Sequence, residues 1–151
     1  MPIHNPAPGM AVMENAYPES AKFLADIIEA AELEYSPSAW RRSQTGHGTL
    51  GDHRSSVESD FTQLLCSREP EYEALAESTR SFQQTLDELV NEFKSVYDLG
   101  LCSDEGLRCI RYQNKAEYRI HHDHGELNMR ALSMVMFLND DFEGGQLEFP
   151  Y

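Results

Sequence analysis

The chain has 151 residues, 40% of them hydrophobic and 25% charged, which suits one soluble globular domain and argues against disorder or a collagen-like polymer. Twelve Lys and Arg against 26 Asp and Glu leave a formal net charge of −14, which repels phosphate backbones and anionic bilayers and argues against nucleic-acid or membrane partners. No apolar stretch approaches the ~20 residues that span a bilayer.

Residues 1–9 carry three prolines and a glycine and read as an extended arm before a single domain over 10–151. They have neither the positive flank nor the apolar run of a secretory signal. Cys66, Cys102 and Cys109 are odd in number, lack a C-x-x-C spacing and read as small core residues in a reducing compartment. Together these features imply a cytoplasmic protein.

Pro18 to Glu34 opens with a proline suited to a first helical turn and sets Phe23, Leu24, Ile27, Ile28 and Ala31 on one face, which predicts an amphipathic helix. Residues 36–59 are rich in Ser, Gly, Thr, His and Arg, with Trp40 and Leu50 as apolar anchors, and predict short strands and loops. A second helix is predicted over 71–97, where Leu75, Phe82, Leu86, Leu89, Phe93 and Val96 recur at three- and four-residue steps. Asp98-Leu-Gly100 supplies a glycine stop, and Ser103-Asp-Glu-Gly106 a turn.

After that turn the period changes to two. Leu107–Tyr112, Tyr118–His124, the apolar run Ala131–Leu138 and Gln146–Phe149 predict four successive strands. On a strand, alternation puts His121 and Asp123 on one face, about 7 Å apart along the backbone, and His122 and His124 on the other. A histidine and a carboxylate so placed are two ligands of a facial triad of two histidines and one carboxylate, the donor set that suits non-haem Fe(II).

The order Arg111-Tyr112, Tyr118-x-x-His121-x-Asp123, Arg130-x-Leu132-Ser133, Phe137-Leu138-Asn139 and Phe142-Glu143-Gly144-Gly145 resembles the Fe(II)- and 2-oxoglutarate-dependent oxygenases of the prolyl 4-hydroxylase type. The resemblance covers 107–149. It implies an α+β fold: supporting helices over 18–34 and 71–97 and the first strands of a double-stranded β-helix, a jelly-roll relative left incomplete. It also implies a dioxygenase that hydroxylates a C–H bond, with peptidyl proline the favoured substrate among protein and small-molecule alternatives. The cofactors implied are Fe(II), 2-oxoglutarate as co-substrate, and ascorbate.

Carried over by position, His121 and Asp123 would bind iron and Tyr112 would hydrogen-bond 2-oxoglutarate, its alternative being an ordinary half-buried strand tyrosine. Arg130 is expected to brace the turn. His47, His53 and Arg54-Ser55-Ser56 lie where this family borders its substrate entrance, and are read as surface polar residues. Phe137 departs from members that carry a tyrosine there. No histidine follows His124 and no Arg or Lys follows Arg130, so the third ligand and the basic partner of 2-oxoglutarate are absent. The expectation is therefore a domain truncated at its carboxyl end. The alternatives are a partial β-helix that binds a partner without catalysis, and a Zn(II) site using His122, His124 or His47.

Overall fold

The computed structural model describes residues 3–33, 36–44, 54–62, 68–125 and 128–150. Near the start, Ile3–His4 (β1) pairs antiparallel with Val12–Met13 (β2), so the proline-rich segment turns back on itself. His47, His53 and Cys66 lie outside the described residues.

Two helices form close to the predicted spans. Ser20–Glu32 (α1) buries Phe23, Ile27, Ala30 and Ala31, one stripe at three- and four-residue spacing. Glu73–Tyr97 (α2) follows a 3-10 turn over Pro70–Tyr72 and buries Leu75, Ala76, Ser78, Thr79, Phe82 and Leu89. Its last turn runs past the core, leaving Val96 exposed. The helix stops at Asp98, which takes the left-handed conformation at φ 49°, while its backbone N–H donates to the Lys94 carbonyl at 2.9 Å. The stop expected from Gly100 is thus made by an aspartate, a residue that visits this region more readily than most.

Aromatic rings join the helices to each other and to the sheet. Phe23 lies 4.8 Å from Phe82 and 5.7 Å from Phe61, the latter edge to face at 89°, and Tyr17 packs on both Phe23 and Phe82. A polar clasp closes the same helix pair, with Ser78 donating to Asp26 and Lys22 Nζ 2.7 Å from Asp26.

The sheet holds Arg41–Arg42 (β3), Val57–Asp60 (β4) and Arg108–Arg111 (β5), all antiparallel with β4 central. Ser59 and Cys109 are register partners on the core side. Burial pushes the Cys109 thiol up to about 11. Cys102 is exposed, contrary to the expectation of a core residue. Buried serines close their hydrogen bonds locally, Ser59 Oγ to the Ser38 carbonyl at 2.6 Å and Ser56 Oγ to Ser43 Oγ at 3.0 Å.

The architecture is therefore α+β. The later strands differ from expectation. Tyr118–His124 reduces to one bridge, Arg54 opposite Tyr118, and to His124–Gly125 (β6), which pairs with Asn128–Met129 (β7). Residues 131–138 and 146–149 form no ladder, because no strand among the described residues lies beside them. Within that run burial alternates only over 135–138: Met136 and Leu138 pack against the core, whereas Val135 and Phe137 are 66% and 56% exposed, and Met134, in phase with Met136, is exposed as well. Among the described residues no helix is long and apolar enough to cross a membrane, and no double-stranded β-helix is closed.

Candidate functional site

His121 and Asp123 meet without a regular strand to align them. Nε2 of His121 stands 3.3 Å from Oδ1 of Asp123. Nδ1 of the same ring is 2.8 Å from the carbonyl oxygen of Arg119. A carbonyl only accepts, so this contact puts a proton on Nδ1, and Nε2 then meets the carboxylate either as an imidazolium N–H donor or with its lone pair free for a cation.

The spacing fits a chelating pair. Donors in adjacent positions at about 2.1 Å from a metal stand about 3.0 Å apart. The observed separation is within a few tenths of an ångström of that. The Nδ1-to-carbonyl contact is also the usual outer contact of a metal-bound imidazole.

Asp123 is shaped from the other side. Ser133 Oγ donates to its Oδ2 at 2.5 Å and Arg130 Nη1 reaches its Oδ1 at 3.4 Å. The Ser133 hydroxyl, then the nearby Arg130 and His121, hold the carboxyl below its ordinary range against a partial desolvation that acts the other way. Arg130 is itself gripped by Glu105, which accepts from Nε at 2.6 Å and from Nη2. That contact lowers Glu105 and raises Arg130. The expected bracing role of Arg130 is thus specific: it ties the turn before β5 to the Asp123 carboxylate.

Both carboxyls, depressed in the folded state, favour folding above the ordinary carboxylate range, and this contribution is lost as pH falls through their lowered values. Glu105→Gln is expected to flatten the stability loss between neutral pH and about pH 3, by at most about 1 kcal/mol because both groups are partly solvated. Urea midpoints of the two proteins across that range check it. Equal slopes would show that the Glu105–Arg130 contact does not matter energetically.

Tyr118 forms the wall behind His121, its ring stacked at 3.7 Å with planes 13° apart. Burial pushes its hydroxyl above its ordinary value. Arg54 places its guanidinium over the Tyr118 ring at 4.6 Å. The expectation that Arg54-Ser55-Ser56 are surface polar residues fails at both ends: Ser56 is buried and the Arg54 side chain is 10% exposed. Tyr112 lies one residue past β5, exposed, and near enough to Tyr118 to bear on its hydroxyl.

His122 and His124 do not join the pair. His124 Nδ1 is 3.1 Å from the Arg130 carbonyl, and His122 is exposed. Among the described residues no group of three or more His, Cys, Asp and Glu side chains is set to hold an ion. Phe137 lies 6.5 Å from Phe142, centroid to centroid. Sequence reasoning pairs His121 with Asp123, which the structure brings together, but does not anticipate the contacts of Ser133, Glu105, Arg54 and Tyr118 around them. Glu105 and Arg54 carry no local signal that links them to residues far along the chain.

No protein-family model, curated protein or solved structure matches this chain.

Proposed function

We propose that this chain supplies two metal ligands, His121 and Asp123, to an Fe(II)- and 2-oxoglutarate-dependent dioxygenase site of the prolyl 4-hydroxylase type. The observation that carries the proposal is the His121 ring: Nδ1 is committed to the Arg119 carbonyl and Nε2 faces Asp123 at chelating distance. A bound Fe(II) with 2-oxoglutarate, kept reduced by ascorbate, would supply the oxidation of a substrate C–H bond, peptidyl proline being the favoured source of that bond.

The protein residues have separable tasks in this reading. His121 and Asp123 hold the ion, and Ser133 and Arg130 set the carboxylate plane. Arg130, 3.4 Å from Oδ1, would share that oxygen with a bound cation. Tyr112, at the free end of β5, hydrogen-bonds the co-substrate. The remaining ligand and the basic partner of 2-oxoglutarate come from groups other than residues 131–151. In the proposed fold the sheet β3–β5 and the apolar run 131–138 belong to the first half of a double-stranded β-helix.

Anaerobic titration with Fe(II) and 2-oxoglutarate tests the reading. A visible metal-to-ligand charge-transfer band is expected, and its loss in a His121→Ala, Asp123→Ala double variant. A band that survives in the double variant would place the metal elsewhere. Absence of binding by Fe(II), Co(II) and Zn(II) alike would instead favour a binding module without catalysis. One observation recommends that second reading: Val135, Phe137 and Phe149 are each more than half exposed, apolar side chains that a partner would cover.

A further inference from the structure

His121 sits at the surface, where an imidazole ordinarily samples several rotamers. Here three contacts converge on it. The Arg119 carbonyl fixes Nδ1 at 2.8 Å, and Tyr118 covers one ring face at 3.7 Å, nearly parallel. With His121 on one face of Tyr118, the guanidinium of Arg54 at 4.6 Å takes the other. The three side chains form a column.

Arg54 is the fixed end of that column. Its Nε donates to Ser56 Oγ at 3.1 Å, its Nη1 to the Gln44 carbonyl at 3.2 Å, and its Nη2 lies 3.6 Å from the Glu58 carboxylate on β4. The backbone is fastened at the same place. Arg54 bridges Tyr118, Ser55 N–H donates to the Glu117 carbonyl at 2.9 Å, and Glu117 N–H donates to Ser55 Oγ at 2.8 Å. The segment that enters the site is thereby tied by main chain and side chain to the start of β4. It needs such a tie because 119–123 has no ladder of its own.

We propose that Arg54 and Tyr118 are positioning residues, a stacked brace that holds the His121 imidazole in its ligating tautomer and orientation. The proposal rests on the metal-site reading for its consequence, but the brace itself can be read without metal. The physical logic is preorganisation. A ring already held with Nε2 outward gives up little freedom when it binds an ion, and outer contacts of this kind commonly carry about 10- to 100-fold in metal affinity. Stacking needs only the aromatic face, so the Tyr118 hydroxyl is dispensable.

The test uses the full chain and the variants Tyr118→Phe, Tyr118→Ala, Arg54→Lys and Arg54→Met, with folding checked by far-UV circular dichroism. In the metal-free proteins at alkaline pH, nitrogen-15 spectra of the imidazole report whether His121 holds one tautomer. Wild type and Tyr118→Phe are expected to show a fixed Nδ1–H form, and Tyr118→Ala and Arg54→Met an averaged one, with Arg54→Lys between. Co(II) titration with 2-oxoglutarate present should then weaken about 10-fold or more in the two averaged variants and recover in Tyr118→Phe. Should Tyr118→Ala not fold, Arg54→Met carries the comparison alone. Wild-type spectra that are already averaged, or a fixed tautomer in both Tyr118→Ala and Arg54→Met, overturn the brace. A fixed wild-type tautomer lost in those variants, with no Co(II) binding by any protein, upholds the brace and overturns the metal-site reading instead.

Discussion

Phe23→Ala is expected to cost about 3–5 kcal/mol, the range for removing a large aromatic side chain from a packed core. Phe23 is 1% exposed and touches three other rings, Tyr17, Phe61 and Phe82, which belong to both helices' surroundings and to the end of β4. Its loss opens a cavity at the point where α1, α2 and the sheet meet, and the neighbouring rings cannot all move inward to fill it. Aromatic pairs of this geometry add about 0.5–1.5 kcal/mol each beyond burial, so several contacts disappear at once. Phe149→Ala provides the control. That ring is 60% exposed, and its removal should stay within about 0.5 kcal/mol. Denaturant midpoints followed by far-UV circular dichroism measure both. A Phe23→Ala midpoint no lower than that of Phe149→Ala would mean that the helices do not pack on the sheet as described.

Gly106→Ala is expected to cost about 3–4 kcal/mol, from two sources that can be separated. Gly106 has φ +79°, which a side chain adopts at a cost of about 1–2 kcal/mol. The added Cβ would also collide with Thr62, whose hydroxyl accepts from Leu107 N–H at 2.8 Å and donates to the Leu107 carbonyl at 3.2 Å. Moving Thr62 away breaks both bonds, at about 1 kcal/mol each. Gly144→Ala isolates the backbone contribution, since Gly144 has the same φ but nothing within 4 Å of its would-be Cβ. The difference between the two variants then reports the Thr62 contacts. Equal costs would show that Thr62 yields without loss. Because Glu105 precedes this glycine and grips Arg130, Gly106→Ala should also loosen the Arg130 contact with Asp123, whereas Gly144→Ala is expected to act on stability alone.

The helices were legible in the sequence because their apolar residues repeat on one face, a property of neighbouring positions, and their ends lay within a few residues of the prediction. The turn before β5 was legible too, and its mechanism is local: Asp104 Oδ1 accepts from Gly106 N–H at 2.8 Å. His121 and Asp123 were found by their two-residue spacing, and the structure does bring them together, although through a bend held by Arg119 rather than along a strand. The stop at Asp98 in place of Gly100 is a local matter that composition ranked wrongly, because a left-handed aspartate costs little where the main chain closes its own hydrogen bond.

What the sequence determined by itself, then, was the two amphipathic helices, the turn and the candidate ligand pair, each set by residues within a few positions of one another. Tertiary structure alone decided that Arg54 reaches Tyr118, that Ser133 and Arg130 shape the Asp123 carboxylate, and that Glu105 anchors Arg130. It also decided which predicted strands became strands. A strand exists only when another lies beside it to take its hydrogen bonds, so Arg108–Arg111, half of it charged, pairs with Val57–Asp60 while the far more apolar 131–138 stays unladdered.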